Sequence, residues 1–176
     1  MPKSKRLINY NMSDPCEVPQ PFRNNRFSIV FGKPEMKVIE PMITAVNIPA
    51  LAMPEAVTVS RNREGWVPGD KISYGQMTVS FILDENLANY KAVYAWMLQN
   101  RNTQTVFMGD VTVTIYSGKN NPLMTIRFPG TFPVSLSDIP LSAQETDPQP
   151  VIAQMVLQFD RMEVISDNVV IGEERR

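Results

Sequence analysis

The sequence predicts a mainly β fold, a two-sheet antiparallel β-sandwich or small barrel with one flanking α-helix over about residues 84–99. Two observations predict it. Period-two alternation of apolar and small polar residues recurs in about seven segments, the signature of strands that bury one face. One segment in mid-chain, directly after a strand, instead repeats at three and four residues, so a single helix caps or covers the sheets.

The elements follow in order. Residues 1–26 mix basic, Asn and Pro residues, and Pro15, Pro19 and Pro21 each remove a backbone donor and fix extended geometry. They read as an extended N-terminal arm, and residues 27–176 as a single β domain. Lys3, Lys5 and Arg6 run into Asn9, Asn11, Ser13, Asp14 and Pro15 rather than into an apolar core, which argues against a secretory signal. Phe27, Ile29 and Phe31 alternate with smaller residues and stop at Gly32-Lys33-Pro34, giving a first strand. Residues 38–51 carry Val38, Ile39, Met42, Ile43, Val46 and Ile48 between Pro41 and Pro49, which suits a strand bent or bulged at its edges. Residues 56–59 resume extended structure. Residues 60–70 are a polar run of turn formers around one exposed-looking aromatic, Trp66, and predict a projecting loop or hairpin.

In residues 76–83, Met77, Val79, Phe81 and Leu83 face one way and Gln76, Thr78 and Ser80 the other. Asp84 then suits a helix N-cap, followed by Leu87, Tyr90, Tyr94 and Met97 on one stripe that Val93 and Trp96 widen. Residues 111–115 and Met124, Ile126 and Phe128 form a hairpin across the turn 117–122. Residues 132–139 are extended or a short turn, and 142–150 a surface loop. Residues 151–164, with Val151, Ala153, Met155, Leu157 and Phe159 on one face, form a long closing strand that spans a sheet. Thr112, Thr114, Gln154 and Gln158 put small uncharged groups on second faces, where they pack on a neighbour's sheet, line a wetted channel or simply face solvent.

Composition narrows the function classes. A chain of 176 residues buries roughly two-thirds of its unfolded surface and needs no disulfide or metal to fold. With 17 basic and 18 acidic residues it has no global field to hold nucleic acid. Its one cysteine, Cys16, cannot form an intramolecular disulfide and reads as a tucked residue of the arm; the chain has no histidine, so the commonest general base and zinc ligand are both missing. No catalytic, cofactor or metal residues are assigned. Asp84 and Glu85 could do acid–base work or hold a hard cation, but adjacent carboxylates at a helix start usually cap it. Gly65, Gly69 and Gly109 lack the lysine–threonine pair and the strand-to-helix setting of a phosphate loop. Arg61, Arg63 and Trp66 could grip nucleic acid, yet near-neutral charge favours a protein contact, for which Trp and Arg are the usual anchors. The 11 methionines, Met77, Met124 and Met155 among them, read as core filling.

From Val57 to Met97 the order is Val-Thr-Val, a basic polar loop, Val67-Pro-Gly-Asp-Lys71, Tyr74, Thr78-Val-Ser-Phe81, then Asp84-Glu-Asn-Leu-Ala-Asn-Tyr90 and Ala95-Trp-Met97. This stretch resembles the tail tube proteins of contractile-tailed phages; the flanks agree only in strand-rich character and length. The resemblance implies a non-enzymatic virion protein, assembled in the host cytoplasm into homo-hexameric rings that stack around a lumen and form the conduit for DNA ejection. It implies a loop, Arg61, Asn62, Arg63, Glu64, Trp66, Pro68, Gly69 and Asp70, that touches the next ring. It also implies partners in tail sheath, baseplate and tape-measure proteins, non-specific passage of DNA, and neither cofactor nor membrane. The long arm departs from the simplest family pattern and leaves open a specialised ring, a baseplate initiator or a tail terminator. Two readings from other classes stand beside it, a monomeric β-sandwich binding module and, weakest, a carboxylate-based enzyme.

Overall fold

The structure, a computed structural model, describes residues 22, 24–60, 63–101, 108–142, 144, 149–166 and 169–171. The arm expected over residues 1–26, with Cys16, lies almost wholly outside the described residues. The chain forms mainly antiparallel β-structure with one α-helix. Its strands are β1 (Phe27–Phe31), β2 (Ile43–Asn47), β3 (Leu51–Ala52), β4 (Glu55–Ser60), β5 (Arg63–Pro68), β6 (Ser73–Tyr74), β7 (Met77–Ile82), β8 (Gly109–Tyr116), β9 (Pro122–Leu136), β10 (Ile152–Gln158), β11 (Glu163–Ser166) and β12 (Val169–Ile171). The helix α1 spans Ala88–Arg101.

Two sheets share one long strand. The first half of β9 pairs with β8 and β11, so that one sheet runs β1-β8-β9-β11-β12; its second half pairs with β10, so that the other runs β9-β10-β7-β2. Gly130 makes the passage between sheets possible: its φ of +66° is a left-handed conformation that costs a residue with a Cβ about 1–2 kcal/mol. The return passage runs alongside, where the Asp160 N–H donates to the Pro129 carbonyl at 3.2 Å. This corner corrects the single closing strand expected over 151–164. That segment is two strands, one in each sheet, because the chain must turn with β9 after the buried Phe159.

The sequence alternation becomes the core. Met77, Val79 and Phe81 of β7 face Ala153, Met155 and Leu157 of β10, with Val111, Val113 and Ile115 of β8 and Ile126 and Phe128 of β9 from the other sheet. Phe128 and Phe159 meet edge to face at 4.9 Å between ring centres, and Tyr74 packs at 5.7 Å on Phe159. A second departure lies at residues 38–42. Instead of strand, 3-10 turns at Pro34–Val38 and Glu40–Met42 deliver Met36 and Ile39 to the core, and only from Ile43 is the chain extended. Pro34 and Pro41 sit in the first turn of each, where the missing N–H and fixed φ suit a helical start as well as a strand edge. The expected bulge is present, as a register shift between Ile43 and Ala45 against β7.

The helix packs on β9 and on the first 3-10 turn. It starts at Ala88, a turn later than the Asp84 cap predicts, because the chain first makes a turn in which the Leu87 N–H donates to the Asp84 carbonyl and Leu87 takes φ +54°. Within the described residues β1 pairs only with β8 and β2 only with β7, so no described strand covers the far edge of either; on β1 the Phe31 N–H donates instead to the Glu40 carboxylate at 2.9 Å.

Candidate assembly surfaces

The pair β2 and β7 does not end at the body. Beyond Asn47↔Thr78 the same two strands continue as Leu51↔Tyr74 and Ala52↔Ser73, then as the uninterrupted ladder from Glu55↔Pro68 to Ser60↔Arg63. Residues 48–60 at about 3.3 Å per residue give this ribbon a reach of up to about 40 Å. Its two halves are joined where the Gly69 N–H donates to the Pro54 carbonyl at 2.7 Å; a Cβ at Gly69 would collide with that same carbonyl, which is why glycine stands there.

Almost nothing of the ribbon is buried. Neither β4 nor β5 makes an extensive contact with any element but the other. The register puts Val57 beside Trp66 and Val59 beside Glu64, on one face with Glu55 and Pro68. Val57, Val59 and Trp66 remain 49%, 78% and 65% exposed. Leu51, Met53 and Ile72 are exposed nearer the body. The expected loop residues therefore fall on a strand: Arg63 faces Ser60 near the tip, Glu64, Trp66 and Pro68 lie on the apolar face, and Gly69 and exposed Asp70 form its base. Arg61 and Asn62 lie outside the described residues. Residues 56–59 are extended as expected, but the exposure of Val57 and Val59 has no signal in the sequence, because alternation does not tell which molecule covers a face.

The helix buries most of the expected stripe, with Val93 and Trp96 in the core and Met97 packed against it, but Tyr94 faces out and Asn89 is added. Asn89, Val93 and Trp96 point inward, Tyr90 and Leu87 are half-buried, and Tyr94 is 54% exposed. Asn89 is fully buried because three hydrogen bonds satisfy it: its amide donates to the Ile82 carbonyl at 2.7 Å, and its Oδ1 accepts from the N–H groups of Tyr90 at 2.9 Å and Asp84 at 3.3 Å. Asp84 thus takes part in the helix start through its backbone. The Tyr90 hydroxyl donates to the Ser137 carbonyl at 3.3 Å, tying α1 to the end of β9. Lys33 lies 4.8 Å over the Trp96 ring, beside an open groove between α1 and the first 3-10 turn.

A third surface is the outer face of β10, β7 and β2. It consists of Ile152, Gln154, Val156 and Gln158, then Thr78, Ser80 and Ile82, then Ala45 and Asn47, without one charged side chain. Among the described residues no group of three or more His, Cys, Asp and Glu could hold a metal, and no helix is long and apolar enough to cross a membrane.

No family model matches the chain. A chain in the cryo-EM structure of the anti-feeding prophage tube-terminating cap superposes with a TM-score of 0.67 at 16% identity, covering 89% of this chain and 99% of that one. A chain in the sheath/tube terminator of the PVC extracellular contractile injection system gives 0.66 at 17%, over 85% and 100%. The fold is that of contractile-system tube proteins. Hcp1 from E. coli EAEC 042 shares it more distantly, with a TM-score of 0.54 at 9% identity. In sequence the chain is 26% identical over 140 residues to the tail tube terminator protein of Enterobacteria phage T4, across 73% of this chain and 80% of that protein. The resemblance to the contractile-tailed phage tube family that residues 57–97 carry is thus upheld well beyond that stretch.

Proposed function

We propose that this chain is a non-enzymatic ring protein of a contractile phage tail and forms the ring that terminates the tail tube. The observation that carries the reading is the T4 tail tube terminator similarity, which runs over most of both chains and accompanies the tube-protein fold. Copies associate as a hexamer around a lumen. The edge of β2, beside which no described strand lies, supplies backbone groups that a neighbouring copy completes. In place of the contact with the next ring that the resemblance implies, the exposed ribbon is the arm through which subunits of one ring hold one another, with Trp66 as its anchor and Arg63, Glu64, Pro68, Gly69 and Asp70 around it.

The uncharged outer face of β10, β7 and β2 faces the lumen. A wall that bound the phosphate backbone would hold DNA in transit, and polar neutral side chains avoid that. Sheath and tape-measure proteins are the neighbours outside and inside such a ring.

A second reading, a repeating ring of the tube itself, is favoured by the likeness to a chain of the PVC sheath–tube complex, with a TM-score of 0.63. Electron microscopy of the purified protein separates the two. Single rings of uniform diameter that do not lengthen support the terminator, and tubes of regular width support the repeating ring. Monomers that persist at high concentration overturn both.

A further inference from the structure

The ribbon needs a seat, and the chain carries a surface of matching chemistry. Between α1 and the first 3-10 turn lies an open groove of about 280 Å³, with the buried Met36 and Trp96 beneath it and with Ala92 and Ala95 as its accessible apolar wall. Lys33 and Lys91 stand on its rim, with Glu35 the one carboxylate there. Partial burial lowers the pKa of Lys33, against an opposing effect of Glu35. On the ribbon, Val57, Val59 and Trp66 form an apolar face that Glu55 and Glu64 border. Apolar wall thus matches apolar face, and two lysines match two glutamates.

We propose that this groove of one copy receives the ribbon of a neighbouring copy, with Trp66 and Val59 against Ala92 and Ala95, and with Glu55 and Glu64 facing Lys33 and Lys91. The inference rests on the reading of the ribbon as the subunit contact, and adds where it lands. The ribbon does not fill the groove of its own copy, since β4 and β5 have no extensive contact with α1. Because ribbon and groove are different patches, the contact is heterologous: each copy both gives and receives, which is how a ring closes.

The test uses the full chain in a Cys16→Ser background, with Val59→Cys in one preparation and Ala95→Cys in another. Both sites are exposed, and circular dichroism verifies that each variant folds. Mixed and oxidised, the two are expected to form the mixed disulfide in at least severalfold excess over either symmetric one. In parallel, Lys91→Glu should weaken association about tenfold and Glu64→Lys should restore it. Absence of both the mixed disulfide and the rescue overturns the groove as the seat, even where shortening the ribbon abolishes association and the arm reading stands. If shortening the ribbon leaves association intact, the arm reading and the groove fall together.

Discussion

Replacing Trp66 with alanine separates assembly from folding. A tryptophan side chain offers about 150–250 Å². With 65% of it in water, docking covers about 130 Å² more, and at about 25 cal/mol per Å² that contributes about 3 kcal/mol to association. The ratio of dissociation constants is then on the order of one hundred. The folded body should hardly notice. Trp66 is largely exposed and its strand has extensive contact only with β4, outside the core, so global unfolding should move by no more than about 0.5 kcal/mol. Sedimentation equilibrium for association and urea denaturation for folding, on the same samples, measure both. An equal loss in the two would mean that Trp66 is part of the core, and an unchanged association would mean that the ribbon is not a contact.

Other consequences follow from single positions. Asn89→Ala leaves the Ile82 carbonyl and the Tyr90 and Asp84 N–H groups without their partner, and should cost about 2–3 kcal/mol in urea denaturation. Gly69→Ala should part the base of the ribbon from Pro54, lowering association while leaving global stability near the parent value, as sedimentation and denaturation would show. Lysines at Ser80 and Gln154 together would put positive charge on the uncharged face; rings should still form, and DNA release from tails carrying them should slow, more so at low salt. Release at the parent rate would move the lumen to another face.

Strands with a complete alternation were legible, and so was the hairpin of β8 and β9, because one face of each is buried by the chain itself. The failures have particular causes. Proline at 34 and 41 fits the first turn of a 3-10 helix and the edge of a strand equally, so Met36 and Ile39 could not be assigned to the core. The break after Phe159 depends on Gly130, far away in sequence, which turns β9 through the same corner. The helix stripe failed at two positions: Tyr94 is apolar enough to be counted inward yet sits in water, whereas Asn89 is polar yet fully buried once its three partners are in place. Ribbon residues were legible as projecting, but their apolar face was not, since alternation reports that one face is covered without reporting by which molecule.

That last ambiguity carries its own prediction. A two-stranded ribbon without a core is marginal in water, and this one holds Val57, Val59 and Trp66 exposed on a single face. The body, by contrast, closes its own core from β1, β7, β8, β9, β10 and α1, and has no need of a neighbour to fold. Stability should therefore be divided: amides of β7, β8 and β10 exchange only on global opening, whereas those of β4 and β5 exchange through local opening in the monomer. Association should slow exchange in β4 and β5 with rising protein concentration and leave the body unchanged. Hydrogen exchange across a concentration series reads both at once. Protection of β4 and β5 that is already complete at the lowest concentration would mean that the ribbon is ordered by its own chain, and the physical reason for giving it a partner would be gone.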